Sequence, residues 1–212
     1  MSPRRAKAIS GRVSGDPATA LRDHLIGTAE KLLAERHVSA ITTRDIARAA
    51  GVSDGVLYNY FSDKNDLLLA ALVRRFSGLV ARFDAELPES GTASVEENLI
   101  AYARAMLELN TGTLPLMAGL LTEPPLLQRF HDVIHSEPFG PQLYPQRLAK
   151  YLSGEQRIGR LPDVDVDAVT TLIIGATVTL ALSGLLQGVS HEDLAKQLPA
   201  IVRTVVLGLN PS

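Results

Sequence analysis

The chain has 212 residues and a formal net charge of -2, with 46% hydrophobic and 21% charged residues. This balance fits a soluble globular protein of one domain or two small ones and excludes wholesale disorder. Cysteine is absent, which excludes disulfides, thiolate metal sites and a cysteine nucleophile.

The charge is unevenly placed. Residues 1–76 carry 12 Lys and Arg against 8 Asp and Glu, whereas residues 77–212 carry 9 against 15. Only the front is therefore expected to face a polyanion. The opening MSPRRAKAISGRVSGDP lacks the apolar stretch of a secretory signal, and a cytoplasmic location is expected.

Apolar residues recur at helical spacing, and no stretch alternates as a strand would. The chain is expected to be all-α. Asp16-Pro17 caps a first helix running to about Arg36, with proline where its missing N–H costs nothing. Thr42 and Asp45 form a capping box for a short helix over 43–50 that Gly51 ends. Ser53 caps a second short helix, 54–60, and Ser62 a long helix to about Leu87, before Pro88. Breaks are expected at Gly112, Pro115, Pro124-Pro125, Pro138, Pro141, Gly154, Pro162 and Gly188, giving four to six further helices.

Residues 42–61, TTRDIARAAGVSDGVLYNYF, have the spacing of a helix-turn-helix. Ile46, Ala47, Ala50, Val52 and Leu57 would pack the two helices, and Gly51 supplies the positive φ that the turn needs. That leaves Asp54, Gly55, Val56, Tyr58, Asn59 and Tyr60 around the second helix, a surface suited to binding. Arg44 could pair bidentately with a guanine and Asn59 with an adenine. Val56 could meet a thymine methyl, and Gly55 would let DNA approach the backbone. The plainer alternatives are a packing tyrosine at Tyr58 and merely solvated roles for Asn59 and Arg48.

Residues 21–72 closely resemble the DNA-binding domain of the TetR family of bacterial transcriptional regulators. The match includes Ala29, Leu33, Thr42, Arg44, Asp45-Ile46-Ala47, Ala49-Ala50-Gly51-Val52-Ser53, Gly55, Leu57-Tyr58, Tyr60-Phe61, Lys64 and Leu67. It covers about a quarter of the chain, and the run AAGVSxGxLYxYFxxK is specific. The resemblance implies phosphate contacts from Thr43, Tyr58 and Lys64, and a base or backbone contact from Arg44. It places Asp54, Gly55, Val56, Asn59 and Tyr60 on the major-groove side. One departure is His37, where the family usually ends helix 1 with glycine, so a left-handed histidine is expected there. Ahead of helix 1, Arg4, Arg5, Lys7 and Arg12 form a basic arm suited to the DNA backbone or minor groove. The alternative is a passive solubilising tail.

Residues 168–190 contain no charge, a length that could span a bilayer. Interspersed Thr, Ser and Gln and acidic rather than basic flanks argue against a membrane. Gly175, Thr179 and Ser183 fall four apart, and the following helix, about 192–207, repeats apolar positions at Leu198, Ile201, Val202 and Val205. These two helices read as half of a four-helix bundle completed by a second chain, and the family resemblance implies the same homodimer.

The middle helices mix apolar bulk with polar handles at Tyr102, Met106, Met117, Leu120, Phe130, His131, Ile134, Tyr144 and Tyr151. Such residues build either ordinary core or an adaptable cavity for a small, largely apolar effector. The acidic run at 163–167 starts like a calcium loop, but Ala168 and Ile174 stand where Gly and Glu are required. His131 and His135 have legal metal spacing without a third ligand nearby in sequence. No metal, cofactor or catalytic set is expected, and the chain does not read as an enzyme.

The expected organisation is a basic arm (1–16), a three-helix helix-turn-helix domain (17–76) and a helical effector-binding and dimerisation domain (77–212). The expected function is a transcriptional regulator, a repressor released from a palindromic operator by a small ligand. The rival is a helical binding or scaffold protein of the same fold without operator binding, which an acidic Asp54 facing DNA would favour.

Overall fold

The computed structural model describes residues 16–136 and 140–209. Residues 1–15, with Arg4, Arg5, Lys7 and Arg12 of the basic arm, lie outside them. Among the described residues the secondary structure is helical throughout, with no strand. The chain divides into two compact units. One comprises the residues up to Arg36 with Ala40–Ala71, the other His37–Ser39 with everything from Leu72 onward.

The first unit holds α1 (Pro17–Glu35), α2 (Thr43–Ala50), α3 (Asp54–Leu57) and the start of α4 (Lys64–Ala85). Asp16 caps α1, its carboxylate accepting the Ala18 N–H at 3.4 Å, with Pro17 in the first turn. The core is built from Leu25, Ile26, Ala29, Ile41, Ile46, Leu57, Phe61, Leu67 and Leu68, all buried. The helix exit differs from expectation. Arg36 is extended at φ −137°, and among the described residues every positive φ belongs to glycine. His37 is thus not left-handed. An extended exit replaces the glycine turn, and His37 instead hydrogen-bonds through Nδ1 to Ser39 Oγ at 2.9 Å.

In the second unit the rest of α4 is followed by α5 (Val95–Leu120), α6 (Pro124–Ser136), α7 (Leu143–Arg157), α8 (Val166–Gln187), α9 (His191–Ala195) and α10 (Leu198–Leu209). α5 packs on α8 and α10, and α7 on α8. Their shared core includes Leu99, Tyr102, Leu107, Leu148, Leu152, Ile173, Leu180, Leu198 and Val202. Asn110 Nδ2 donates to the buried Thr177 Oγ1 at 3.1 Å, a polar pin fixing α5 against α8.

Several expected breaks are helical. α5 runs through Gly112 and Pro115. Pro115 removes one backbone hydrogen bond, but Leu116 and Leu120 beyond it are buried and hold the last turn. A Cβ on Gly112 would lie 2.7 Å from Leu79 Cδ2, so glycine there allows α4 and α5 a close crossing. Gly154 likewise sits inside α7, where a Cβ would collide with Ser90. The expected helix over 192–207 is instead two helices, α9 and α10, divided at residues 196–197.

Candidate nucleic-acid interface

The helix-turn-helix is fixed by local chemistry. Thr42 Oγ1 accepts the Asp45 N–H at 3.2 Å, and Asp45 Oδ2 accepts the Thr42 N–H at 3.0 Å, the reciprocal capping box. These bonds to Thr42, aided by Arg36 and Arg48, hold the Asp45 carboxyl below its ordinary value of 3.8. Arg36 lies 3.7 Å from Asp45, joining the end of α1 to the start of α2. At the other end Gly51 adopts φ +71°, and its N–H reaches back to the carbonyls of Ala47 and Arg48. His24 Nε2 donates to the Ala50 carbonyl at 3.1 Å, supplying one of the acceptors' missing partners. Ile46, Ala47 and Leu57 are buried between the helices.

The second helix is shorter than its sequence suggests. α3 spans only Asp54–Leu57, and Ser53 makes no side-chain cap bond. Residues 58–60 continue as a tight turn, Asn59 N–H donating to Val56 O at 3.2 Å and Tyr60 N–H to Leu57 O at 3.0 Å. The long helix α4 begins at Lys64. Asp63 Oδ1 accepts the Asp66 N–H, while Ser62 donates its N–H and hydroxyl to Asp66 Oδ2.

Among the described residues, those expected to contact DNA from the helix-turn-helix are accessible. Tyr58 is 58% exposed. Arg44, Asp54, Gly55 and Asn59 are exposed, and Thr43, Val56, Tyr60 and Lys64 are half-buried. A Cβ at Gly55 would meet nothing within 4 Å, leaving its backbone open to approach. Sequence reasoning missed one pairing. Arg44 Nε lies 3.7 Å from Asp54 Oδ2, so the starts of α2 and α3 adjoin and an acid faces the candidate base-reading guanidinium. Both side chains are solvated, so the pair contributes little to stability. Its importance is electrostatic, at the surface presented to a ligand.

In the second unit the expected effector residues separate. Met106, Leu120, Phe130 and Ile134 are buried core, and Phe76 meets Phe130 edge-on at 5.7 Å. Met117 is half-buried. His131 is exposed and stacks on His135 at 3.9 Å, with Asp132 3.7 Å away. Among the described residues no group of three or more metal-ligating side chains forms. Tyr144 packs edge-on against Phe83 at 5.6 Å, and its buried hydroxyl has no hydrogen-bond partner. Tyr102 and Tyr151 line a cleft of about 490 Å³ shared with Asp84, Arg147, Lys150 and Arg157. The apolar bulk packs helix against helix, and the space remains where α7 presents charged residues. Burial raises the Tyr102 hydroxyl to about 12, with Arg147 opposing and Asp84 reinforcing the shift.

The expected dimer residues separate too. Leu198 and Val202 are fully buried in their own unit's core, so they cannot meet a second chain. Gly175 and Thr179 are exposed on α8, and Ser183, Ile201 and Val205 are half-buried. Around them stand exposed Leu172, Val178, Leu182, Leu185 and Leu186, the last 73% exposed. Sequence reasoning passed over these leucines because it followed the small residues. α8 is long and apolar enough to cross a membrane by length and composition. Its other face, including Val169, Ile173, Thr177 and Leu180, is buried within the unit, and Asp165 caps its start with 3.0 Å bonds from Asp167 and Ala168 N–H.

Comparison with known proteins shows what this segment is similar to. Residues 25–71 match the model of the bacterial regulatory proteins, tetR family. The AlkX transcriptional regulator of Mycobacterium tuberculosis is 32% identical over 117 residues, covering 51% of this chain and 52% of that protein. The fatty acid metabolism regulator protein of Bacillus subtilis is 29% identical over 76 residues, 36% of this chain and 39% of that protein. The chain thus spans about half or less of the length of these two curated relatives. The solved FadR regulator of Bacillus subtilis, in complex with stearoyl-CoA, shares the fold. Its TM-score is 0.60 at 20% identity, covering 89% of this chain and 99% of that one. The helix-turn-helix segment, residues 25–71, is thus similar to that of the tetR family of bacterial regulatory proteins.

Proposed function

We propose that this chain is a DNA-binding transcriptional regulator, a homodimeric repressor acting in the cytoplasm on a two-fold operator. The observation that carries the reading is the capped helix-turn-helix with its accessible Arg44, Tyr58, Asn59 and Lys64. Thr43, Tyr58 and Lys64 hold phosphates. Arg44, Asp54, Gly55, Val56, Asn59 and Tyr60 face the major groove. Recognition elements so short read few base pairs each, so a single copy gains little specificity. A second copy supplies it, docked on the exposed leucines of α8 beside Gly175 and Thr179. That contact also covers an apolar face that water would otherwise meet.

Effector control rests on the second unit, whose cleft is large enough for a small molecule. An effector shifts operator affinity only if it binds the two states of the dimer unequally. The relative solved with stearoyl-CoA supports ligand control in this fold. The scaffold reading has one observation in its favour, the Asp54 carboxylate beside Arg44. The deciding experiment is titration of the protein with DNA from its own promoter region at several salt concentrations. Specific, salt-dependent binding supports the regulator. Affinity no higher than for unrelated DNA supports the scaffold.

A further inference from the structure

The cleft of the second unit lies between the end of α4, the turn after it, α5 and one face of α7. Arg147, Lys150, Tyr151, Gly154 and Arg157 recur at three- and four-residue steps along α7, so they form a single stripe. Arg147 is already engaged: its Nη2 donates to Asp84 Oδ2 at 3.2 Å, and its Nε lies 3.2 Å from Asp84 Oδ1. Lys150 and Arg157 are different. Among the described residues neither has an ion-pair partner, and the remaining acid on the lining is Glu89. Once Asp84 and Arg147 are paired, two cations face one carboxylate.

The apolar side of the cleft is held in place. Leu87, Pro88 and Ile158 line it with the rings of Tyr102 and Tyr151, whose centroids lie 4.9 Å apart. The loop after α4 is tied to α7 at several points. Ser90 Oγ donates to the Tyr151 carbonyl at 3.1 Å, and Gly91 N–H donates to Glu155 Oε1 at 3.0 Å. Glu155 is itself fully buried, and Arg160 Nε stands 3.3 Å from its other oxygen. A wall pinned this way loses little further freedom when something binds. The Tyr151 hydroxyl is buried, turned toward Asn98 and Glu155.

We infer that this cleft binds a small organic carboxylate, its acid group taken by Lys150 and Arg157 and its apolar body laid against Tyr102 and Tyr151. Guanidinium and ammonium groups together favour an anion, and the apolar wall favours a carbon skeleton over a bare inorganic ion. This deepens the effector reading above and rests on it for its regulatory meaning. It also replaces a largely apolar effector with an amphipathic acid.

The test uses the full chain and two probes, octanoate and phenylacetate, each set against its neutral amide and against inorganic phosphate. Calorimetric titration and thermal shift are read together. Both carboxylates should bind and raise the melting temperature, with the amides weaker by about tenfold or more. The double variant Lys150→Gln/Arg157→Gln should melt like wild type without ligand, because both side chains are exposed, yet lose about tenfold in carboxylate affinity. Equal binding of acid and amide, or wild-type affinity in the double variant, would overturn the assignment. So would phosphate binding as tightly as octanoate, which would mean an adventitious ion only. Operator titration separates the two readings. DNA binding without carboxylate binding removes this ligand alone, whereas carboxylate binding without specific DNA binding removes the regulator and leaves the cleft site standing.

Discussion

Asp45 shows how one side chain ties sequence to surface. Its carboxylate closes the capping box and meets Arg36, and both effects favour the charged form. A carboxyl held below its ordinary value of 3.8 contributes stability above that value and loses it as pH falls through its folded value. The melting temperature of Asp45→Asn should therefore lie below that of wild type at neutral pH, and the gap should close on acidification below about pH 4. A gap independent of pH would show that the charge is not what matters. Thr42→Ala removes the cap itself and should cost about 1 kcal/mol. Tyr58, by contrast, is exposed. Tyr58→Ala should weaken operator binding by about 1–3 kcal/mol and leave the melting temperature unchanged, as expected for loss of a phosphate contact. Unchanged affinity at matched salt would remove Tyr58 from the interface. Asp54→Asn releases Arg44 from its acid. It should raise affinity for unrelated DNA more than for operator, so that discrimination narrows.

Helix boundaries were legible wherever a single residue decides them. Asp16-Pro17, Thr42 with Asp45, Gly51 and Gly188 all stand where caps are needed. Boundaries failed where a neighbour decides. Gly112 and Gly154 look like breaks, yet each lies inside a helix where Leu79 or Ser90 leaves no room for a Cβ. The same limit applies to the faces of α8 and α10. Leu198 and Val202 have the spacing of an interface, but the core of their own unit consumes them. Leu182 and Leu186 look like core and are exposed. Local sequence records that a face is apolar and not which partner covers it. The cleft was half legible for the same reason: Tyr102 and Tyr151 carry a mixed character, whereas Arg147, Lys150 and Arg157 look like an ordinary solvated stripe until the loop after α4 is placed over them. Thr179→Asp and Leu182→Asp would each bury an unpaired charge if α8 meets a second copy, at a cost of several kcal/mol. Light scattering should then report monomers or aggregates, with operator binding reduced in step. Full-strength dimers from both variants would place the contact elsewhere.

The chain has a basic front and an acidic remainder, and its DNA affinity should follow that asymmetry. Removing residues 1–12, with four cationic side chains, should lower affinity for all sequences alike and flatten the dependence on salt. An unaltered slope would make the arm a passive tail. The central claim is that two copies present two recognition elements to one duplex. Its most direct test is selection of bound DNA from a random pool by the full-length chain. The enriched sites should be palindromes whose half-sites are centred roughly 34–36 Å apart, one helical turn, or a multiple of it. Enrichment of a single unrepeated half-site, or no enrichment at all, would contradict a two-fold operator-binding repressor.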